Sequence, residues 1–106
     1  MVLTDEWLDG AREDLNSELD YIYKEFGTKS AEKAYLKVVD VVDTLRHYPE
    51  IGRVFENMDY HGINVRSISM RQTSIIYCVL EDKLLIIALW NNRQDVRRLP
   101  DIICSR

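Results

Sequence analysis

Two apolar runs in the second half of the sequence constrain the fold most. Residues 73–80 (TSIIYCVL) and 84–90 (LLIIALW) are rich in β-branched and aromatic side chains, and only residues 81–83 (EDK) separate them. Runs of this length and composition are typical of β-strands, and the short polar connection predicts a hairpin between them. Because apolar residues occupy both faces of each run, we expect central strands that helices cover on at least one side.

Two helices are predicted before these strands. Apolar residues at positions 8, 11, 15, 19, 22 and 26 are spaced by three or four, as on one face of an α-helix, and Gly27 is a natural residue to follow its last turn. A second set at positions 31, 34, 38, 41 and 45 ends before Pro49, which cannot continue a helix. The connection of about three residues predicts antiparallel neighbours, that is, a helical hairpin.

The segment between the helices and the two apolar runs is expected to contain a turn and a further strand. Residues 49–52 (PEIG) have the chemistry of a turn, and residues 64–70 alternate between polar and apolar side chains. The alternation changes phase, which predicts a β-bulge near Arg66 and Ser67. Residues 97–103 are expected to form a short helical turn or a tail, because they contain a proline.

Helices followed by strands define an α+β protein. We predict a single domain over residues 1–106, in which an N-terminal antiparallel helical hairpin packs on a twisted antiparallel sheet of about three to four strands. Residues 2–3 (VL) offer a short first strand, and Asp5 and Glu6 leave it little length. A chain of this size buries about two-thirds of the surface that it exposes when unfolded, so it can form a core without disulfides or metal.

Composition excludes several classes of protein. The first 25 residues are acidic and contain no long apolar run, so we expect neither a secretory signal nor a membrane span, and we predict a cytoplasmic protein without membrane contact. Cys78 and Cys104 have no zinc-type spacing, which predicts free thiols, no metal site and no cofactor.

The net charge of −4 is unevenly distributed along the chain. Residues 1–45 carry five basic side chains against eleven acidic ones, whereas residues 46–106 carry nine against seven. Eight of those nine basic residues are arginines. An anionic or acidic partner is therefore expected to meet the second half of the chain.

Polar side chains follow the second apolar run directly. Residues 91–95 are Asn91, Asn92, Arg93, Gln94 and Asp95, so they are predicted to lie where a central strand leaves the sheet. The end of a rigid strand holds such groups in fixed positions, as a binding site requires. Alternatively, the two asparagines cap the strand and begin a turn, which is a common role for this residue.

The ordered set of residues resembles the RelE/ParE superfamily of toxins from bacterial type II toxin–antitoxin modules, which includes plasmid stabilisation proteins. The first helix matches the pattern W-x3-A-x2-D-L-x5-Y-I, and the following turn matches L-x3-P-x2-G-R. The residues that carry these and the later matches are Trp7, Ala11, Asp14, Leu15, Tyr21, Ile22, Phe26, Gly27, Ala31, Leu45, Pro49, Gly52, Arg53, Arg66, Ile75, Ile76, Tyr77, Ile86, Ile87, Arg93, Gln94 and Asp95.

The resemblance implies a working face on the concave side of the sheet and a cognate antitoxin as partner. It is greatest to ParE-like members, which inhibit DNA gyrase by protein–protein contact and do not need a small-molecule substrate. On that basis the contact residues are Arg53, Arg66, Asn92, Arg93 and Gln94, since arginine is common at interface hot spots. For Arg66 the alternative is an internal salt bridge to Glu56 or Asp59.

A RelE-like, ribosome-dependent endoribonuclease that cuts messenger RNA is the second interpretation, with the ribosome and mRNA as partners. Its catalytic residues would be Arg66, Arg71, His61 and Arg93. However, Ser74 stands where RelE-like members carry a basic residue, and arginines rarely exchange protons. The sequence pI of 5.1 also disfavours binding to nucleic acid. The residues therefore favour an inhibitor over an enzyme, and the third interpretation is a non-toxic, antitoxin-binding or regulatory relative.

The antitoxin is expected to cover apolar side chains that lie off the buried stripes of the helices. Candidates are Tyr23, Tyr35 and Val39, although isolated surface residues of this kind are also common. The acidic first helix predicts a basic segment in the antitoxin.

Overall fold

The computed structural model describes residues 2–106 and confirms the predicted α+β fold class. Two short 3-10 turns, at Pro49–Ile51 and Val96–Arg98, precede the second strand and the last helix. In chain order, the helices and strands are β1 (Thr4–Trp7), α1 (Asp9–Phe26), α2 (Thr28–His47), β2 (Arg53–Tyr60), β3 (Ile63–Met70), β4 (Thr73–Leu80), β5 (Lys83–Asn91) and α3 (Leu99–Ser105).

The helical hairpin has a shorter connection than predicted. Gly27 alone separates α1 from α2, and its φ of 93° lies in the region that glycine adopts without steric cost. The predicted helical stripes face the sheet, because Ala11, Val38, Val42 and Leu45 are buried against it. The two helices therefore form one layer over one face of the sheet.

The sheet has five strands in the order β1-β5-β4-β3-β2, and it is mixed because β1 runs parallel to β5. We expected about three to four antiparallel strands. The edges are β1, which directly follows the short strand considered at residues 2–3, and β2, which was not predicted. Exposed charged residues such as Asp5, Glu6 and Glu56 obscure the strand pattern there.

The predicted bulge in the third strand is wrong. Pairing between β3 and β4 is continuous from Arg66 to Met70, whereas the extra residues belong to β2 between Val54 and Asp59. A regular β3 explains the change in the alternation of apolar residues, because the apolar side chains of its first half face one side of the sheet and those of its second half face the other. Val65 packs with the cluster beneath α3, and Ile68 packs with the cluster beneath the hairpin.

A bulge does occur in β5, and it changes which residues of the strand face the hairpin. The register with β4 shifts between the pairs formed by Ile86 and Ala88. Ile86 and Leu89 consequently face the hairpin, while Ala88 and Trp90 face the other side. There α3 packs two buried side chains, Leu99 and Ile103, on part of the sheet.

Candidate functional site

A groove of about 400 Å³ remains on the sheet face that carries α3. We call it the hydroxyl groove. Its polar lining consists of Ser67, Ser69, Ser74, Asn92 and Arg53, and its apolar lining includes Ile51, Phe55, Ile68 and Val96.

Strand register places the hydroxyls on one face. Ser67 pairs with Arg53 on one side and Ile76 on the other, and Ser69 pairs with Ser74. Directly opposed residues share a face in antiparallel strands, so these polar side chains converge. The Ser69 and Ser74 Oγ atoms lie 3.2 Å apart, and Ser74 Oγ donates a 2.7 Å hydrogen bond to Asn92 Oδ1. Ser74 is buried, so the strand exit is fixed to the middle of the sheet.

The two asparagines at the strand exit build the turn. Asn91 Oδ1 accepts a 2.9 Å hydrogen bond from the Arg93 backbone N–H. The backbone N–H of Asn92 donates to Gln72 O at 2.7 Å, and its side-chain Nδ2 donates to Arg71 O at 3.4 Å. These hydrogen bonds agree with the alternative interpretation, in which the two asparagines form a turn. Asn92 also lines the hydroxyl groove.

Arg93 and Gln94 behave differently from the asparagines. Both are exposed, and neither side chain makes a hydrogen bond or ion pair with any residue from 2 to 106. Asp95, next in the chain, accepts hydrogen bonds from the Arg97 guanidinium at 2.8 and 3.0 Å. These bonds, together with one from the Arg97 backbone N–H, hold the pKa of Asp95 below its ordinary value. The Asp95 carboxylate is thus already paired with a guanidinium.

The turn at residues 49–52 is held by two side chains from the sheet. Tyr77, which is fully buried, donates a 2.7 Å hydrogen bond to Pro49 O and accepts one of 2.9 Å from the Gly52 N–H. Arg66 donates to Glu50 O at 3.1 Å and to Gly52 O at 2.8 Å. This clamp fixes the residue before Arg53 and so the start of β2.

Burial raises the pKa of Tyr77, and the Gly52 hydrogen bond and the Arg66 charge partly offset this rise. Sequence reasoning named Tyr77 as a match to the superfamily but gave it no role, because its pairing with Arg66 is formed across the sheet. The internal salt bridge considered for Arg66 is wrong, since in the described part of the chain its partners are carbonyls and not Glu56 or Asp59.

The structure groups only some of the candidate residues. Arg71 lies in the β3–β4 turn and Arg93 just beyond β5, so both stand at the end of the sheet toward which Arg53 also lies. We call this the arginine end. His61 lies in the β2–β3 turn, beyond the opposite end of β3. Eight residues of strand span about 26 Å, so His61 is not brought to the three arginines.

A second groove, of about 610 Å³, lies between β1, α1 and α2. We call it the hairpin groove. Its apolar lining includes Trp7, Leu15, Val38 and Val42, and the candidate residues Tyr35 and Val39 also line it with 47% and 42% of their surface exposed. Asp5, Asp40 and Asp43 contribute negative charge, and Arg12 and Arg46 contribute positive charge. Tyr23 is exposed but is not part of this lining.

Residues 2–106 contain neither a candidate membrane-spanning helix nor a candidate metal site. None of the helices in that range has the length and apolar character to cross a membrane. In the same range, histidine, cysteine and carboxylate side chains form no group of three that could hold a metal ion.

A family model matches the chain, and a solved structure shares its fold. The family model described as the ParE toxin of a type II toxin–antitoxin system, parDE, matches residues 6–96. No curated protein sequence matches the chain. A solved structure described as the chromosomal ParDE TA system from P. aeruginosa has the same fold, with a TM-score of 0.70 and 20% sequence identity. The match covers 85% of this chain and 96% of that one.

Proposed function

The chain belongs to the ParE toxin family of type II toxin–antitoxin systems, and on that premise we propose that it inhibits DNA gyrase by protein–protein contact. The contacts are made at the arginine end and in the hydroxyl groove, by Arg53, Asn92, Arg93 and Gln94. Arg66 supports this surface through the clamp at residues 49–52.

One observation carries the proposal. Arg53, Arg71 and Arg93 stand at one end of the sheet, and none makes a side-chain hydrogen bond or ion pair with the residues that the structure describes. Exposed guanidinium groups without internal partners are suited to an interface, where their planar fork binds carboxylates and carbonyls.

The lining of the hydroxyl groove is better suited to contact with a protein than to cleavage of RNA. Cleavage of RNA needs a proton acceptor and a proton donor beside the phosphate. Of the side chains described in this groove, none is histidine, aspartate, glutamate or tyrosine. Serine, asparagine and arginine are poor proton acceptors near pH 7, so they fit a binding surface better than a nuclease site.

The hairpin groove is the proposed site for a cognate antitoxin in the cytoplasm. Its apolar lining is continuous with exposed Tyr35 and Val39, and a toxin that waits for a partner leaves such a patch uncovered. Its lining holds three aspartates against two arginines, and Arg46 is bonded to Asp43, so one net negative charge remains and favours an antitoxin segment with a basic side chain beside its apolar anchors. The groove lies on the hairpin side of the molecule and the hydroxyl groove on the face that carries α3.

Pulse labelling tests the target directly. The protein is induced in bacterial cells without an antitoxin, and incorporation of thymidine and methionine is followed over minutes. We expect DNA synthesis to fall first. An earlier fall in protein synthesis would replace the gyrase proposal with the nuclease, and no fall in either would leave a non-toxic antitoxin-binding protein.

A matched pair of variants localises the effect. Arg53→Glu combined with Arg93→Glu reverses two charges at the proposed contact surface. Lys33→Glu combined with Lys37→Glu makes the same change in net charge on the exposed side of α2. We expect the arginine variant to lose its effect on thymidine incorporation and the lysine variant to keep it. Equal loss in both would indicate a general effect of charge.

A further inference from the structure

The hydroxyl groove differs in charge from the rest of the molecule. The chain carries 18 acidic side chains and a net charge of −4, yet the described lining of this groove contains one arginine and no carboxylate. Asp95, the acidic neighbour of the lining residue Val96, is bonded to Arg97. The acidic neighbours of Ile51 and Phe55, which are Glu50 and Glu56, are exposed and lie outside the lining. A negatively charged group that enters the groove therefore meets the Arg53 charge and no carboxylate of the described lining.

Arg53 is the charged group that faces this space. Four of the other arginines bond internally: Arg46, Arg97 and Arg106 to aspartates, and Arg66 to backbone carbonyls. Arg53 is exposed, and its guanidinium has no acceptor among residues 2–106. An arginine held at the start of a clamped strand and left without a partner is prepared for a bidentate bond to an external carboxylate.

The other residues of the groove indicate which groups can lie beside that carboxylate. Ser67 is opposite Arg53 in the sheet, and its hydroxyl has no partner among the described residues, so it can donate to the same anion. Ile51, Phe55 and Val96 border the polar groups. Such a mixture fits an acidic side chain with apolar neighbours better than a run of phosphates, which requires several cations along a track.

We propose that the hydroxyl groove binds a segment of the target protein that presents an aspartate or glutamate to Arg53 and Ser67, flanked by apolar side chains. The proposal rests on the proposed function in one respect, namely that the target is a protein. It adds the chemistry by which the target is recognised.

Nuclear magnetic resonance of the full chain, labelled with ¹⁵N, tests the proposal without gyrase. The probes are two blocked pentapeptides in which leucine and phenylalanine alternate with aspartate in one and with asparagine in the other. We expect the aspartate peptide to shift the amide signals of Arg53, Ser67, Ser69 and Ser74, and to bind at least about fivefold more tightly, as a charge-assisted bond predicts.

Variants and a nucleic acid probe complete the experiment. Arg53→Gln should abolish the preference for aspartate, whereas Lys37→Gln, on the exposed side of α2, should preserve it. The spectrum of each free variant shows whether it is folded. Equal binding of the two peptides, or shifts confined to the hairpin groove, would overturn the proposal. It would also be overturned if a single-stranded oligonucleotide occupied the groove and the aspartate peptide did not.

The two proposals fail separately. If the aspartate peptide binds as expected but thymidine incorporation is unaffected in cells, the groove inference holds and the gyrase proposal fails. If DNA synthesis falls first but the peptides do not discriminate at Arg53, the gyrase proposal holds and the inference about an acidic segment fails.

Discussion

Asp14 and Arg106, which are 92 positions apart, form a two-pronged ion pair with distances of 2.7 and 3.1 Å. Asp14 also accepts a 3.1 Å hydrogen bond from the Leu89 N–H, and Arg106 donates a 3.0 Å hydrogen bond to Ile87 O. The pairing of β1 with β5 ends at Ile86, before these two backbone groups. Gly10 permits the approach, because a β-carbon there would collide with the Arg106 side chain. One pair thus joins α1, β5 and the segment after α3.

Asp14→Asn is expected to destabilise the fold. The substitution keeps the shape and one acceptor for Leu89 but leaves the Arg106 charge partly buried without its partner. The two side chains are 26% and 20% exposed, so we expect a loss of about 1–3 kcal/mol in unfolding free energy, less than for a fully buried pair. Urea unfolding followed by circular dichroism measures it.

The Asp20–Lys24 pair on α1 is the matched control. Both of its side chains are more than half exposed, and the pair spans one helical turn. Asp20→Asn should change the unfolding free energy by no more than about 0.5 kcal/mol. A loss at Asp14 no larger than that at Asp20 would show that the Asp14–Arg106 pair does not hold the elements together.

Tyr77→Phe is expected to loosen the turn at residues 49–52. It removes a buried hydroxyl that bonds Pro49 O and the Gly52 N–H, which should cost about 1–3 kcal/mol because backbone groups lose a partner. Gly52→Ala should cost more, since its β-carbon would collide with the same hydroxyl. Thermal unfolding gives both values, and a Gly52→Ala protein as stable as wild type would show that Tyr77 and Gly52 are not in close contact.

The helices and the central hairpin were predictable because their signals are local. Spacing of three or four residues located α1 and α2, and two apolar runs located β4 and β5. The edge strands were not predictable in the same way. Residues 53–60 (RVFENMDY) form a strand because β3 lies beside them and α3 covers one face. The spacing of apolar residues within this segment predicts neither contact.

Arg93→Ala and Asn92→Ala should distinguish a residue that contacts the target from a residue that stabilises the turn at the strand exit. Arg93 has no internal partner, so its loss should leave the thermal midpoint unchanged and weaken growth inhibition in cells. Asn92 bonds Ser74 and the β3–β4 turn, so its loss should lower stability by about 1–2 kcal/mol. Calorimetry together with a plate growth assay distinguishes the two, and a stability loss at Arg93 would contradict the assignment.

The candidate site was only partly readable from sequence for the same reason. The identity of Arg53 and Arg93 came from superfamily motifs, and the polar exit of β5 from a change in composition. Pairing between strands brings Ser67, Ser69 and Ser74 together, and the spacing of residues in the sequence does not predict that register. The clamp by Tyr77 and Arg66 likewise depends on a contact across the sheet.

The two free thiols should differ sharply in reactivity. Burial raises the pKa of Cys78 to about 11, whereas Cys104 is exposed on α3. At pH 8 a thiol with a pKa of about 11 is ionised in roughly one molecule in a thousand, and only the thiolate reacts. A chromogenic disulfide reagent should therefore modify one thiol in the native protein and two in urea, and Cys104→Ser should abolish the native reaction.

Stability should also fall in alkali because of Cys78. Its pKa is higher in the folded state than the ordinary value of 9.0, so the folded protein holds a proton that the unfolded chain releases. The contribution is complete below pH 9.0 and is lost as the pH rises toward 11. Urea midpoints from pH 8 to 10.5 should decline, and less steeply for Cys78→Ala. An equal slope in both proteins would exclude Cys78 as a cause.

Inhibition of purified DNA gyrase in a supercoiling assay tests the central claim most directly. The wild-type chain is compared with the Arg53→Glu/Arg93→Glu and Lys33→Glu/Lys37→Glu variants at equal concentration. The account predicts inhibition by the wild type and the lysine variant, with at least a roughly tenfold loss of potency in the arginine variant, as for an interface hot spot. Gyrase activity unaffected by the wild-type protein, or equal potency of all three, would contradict it.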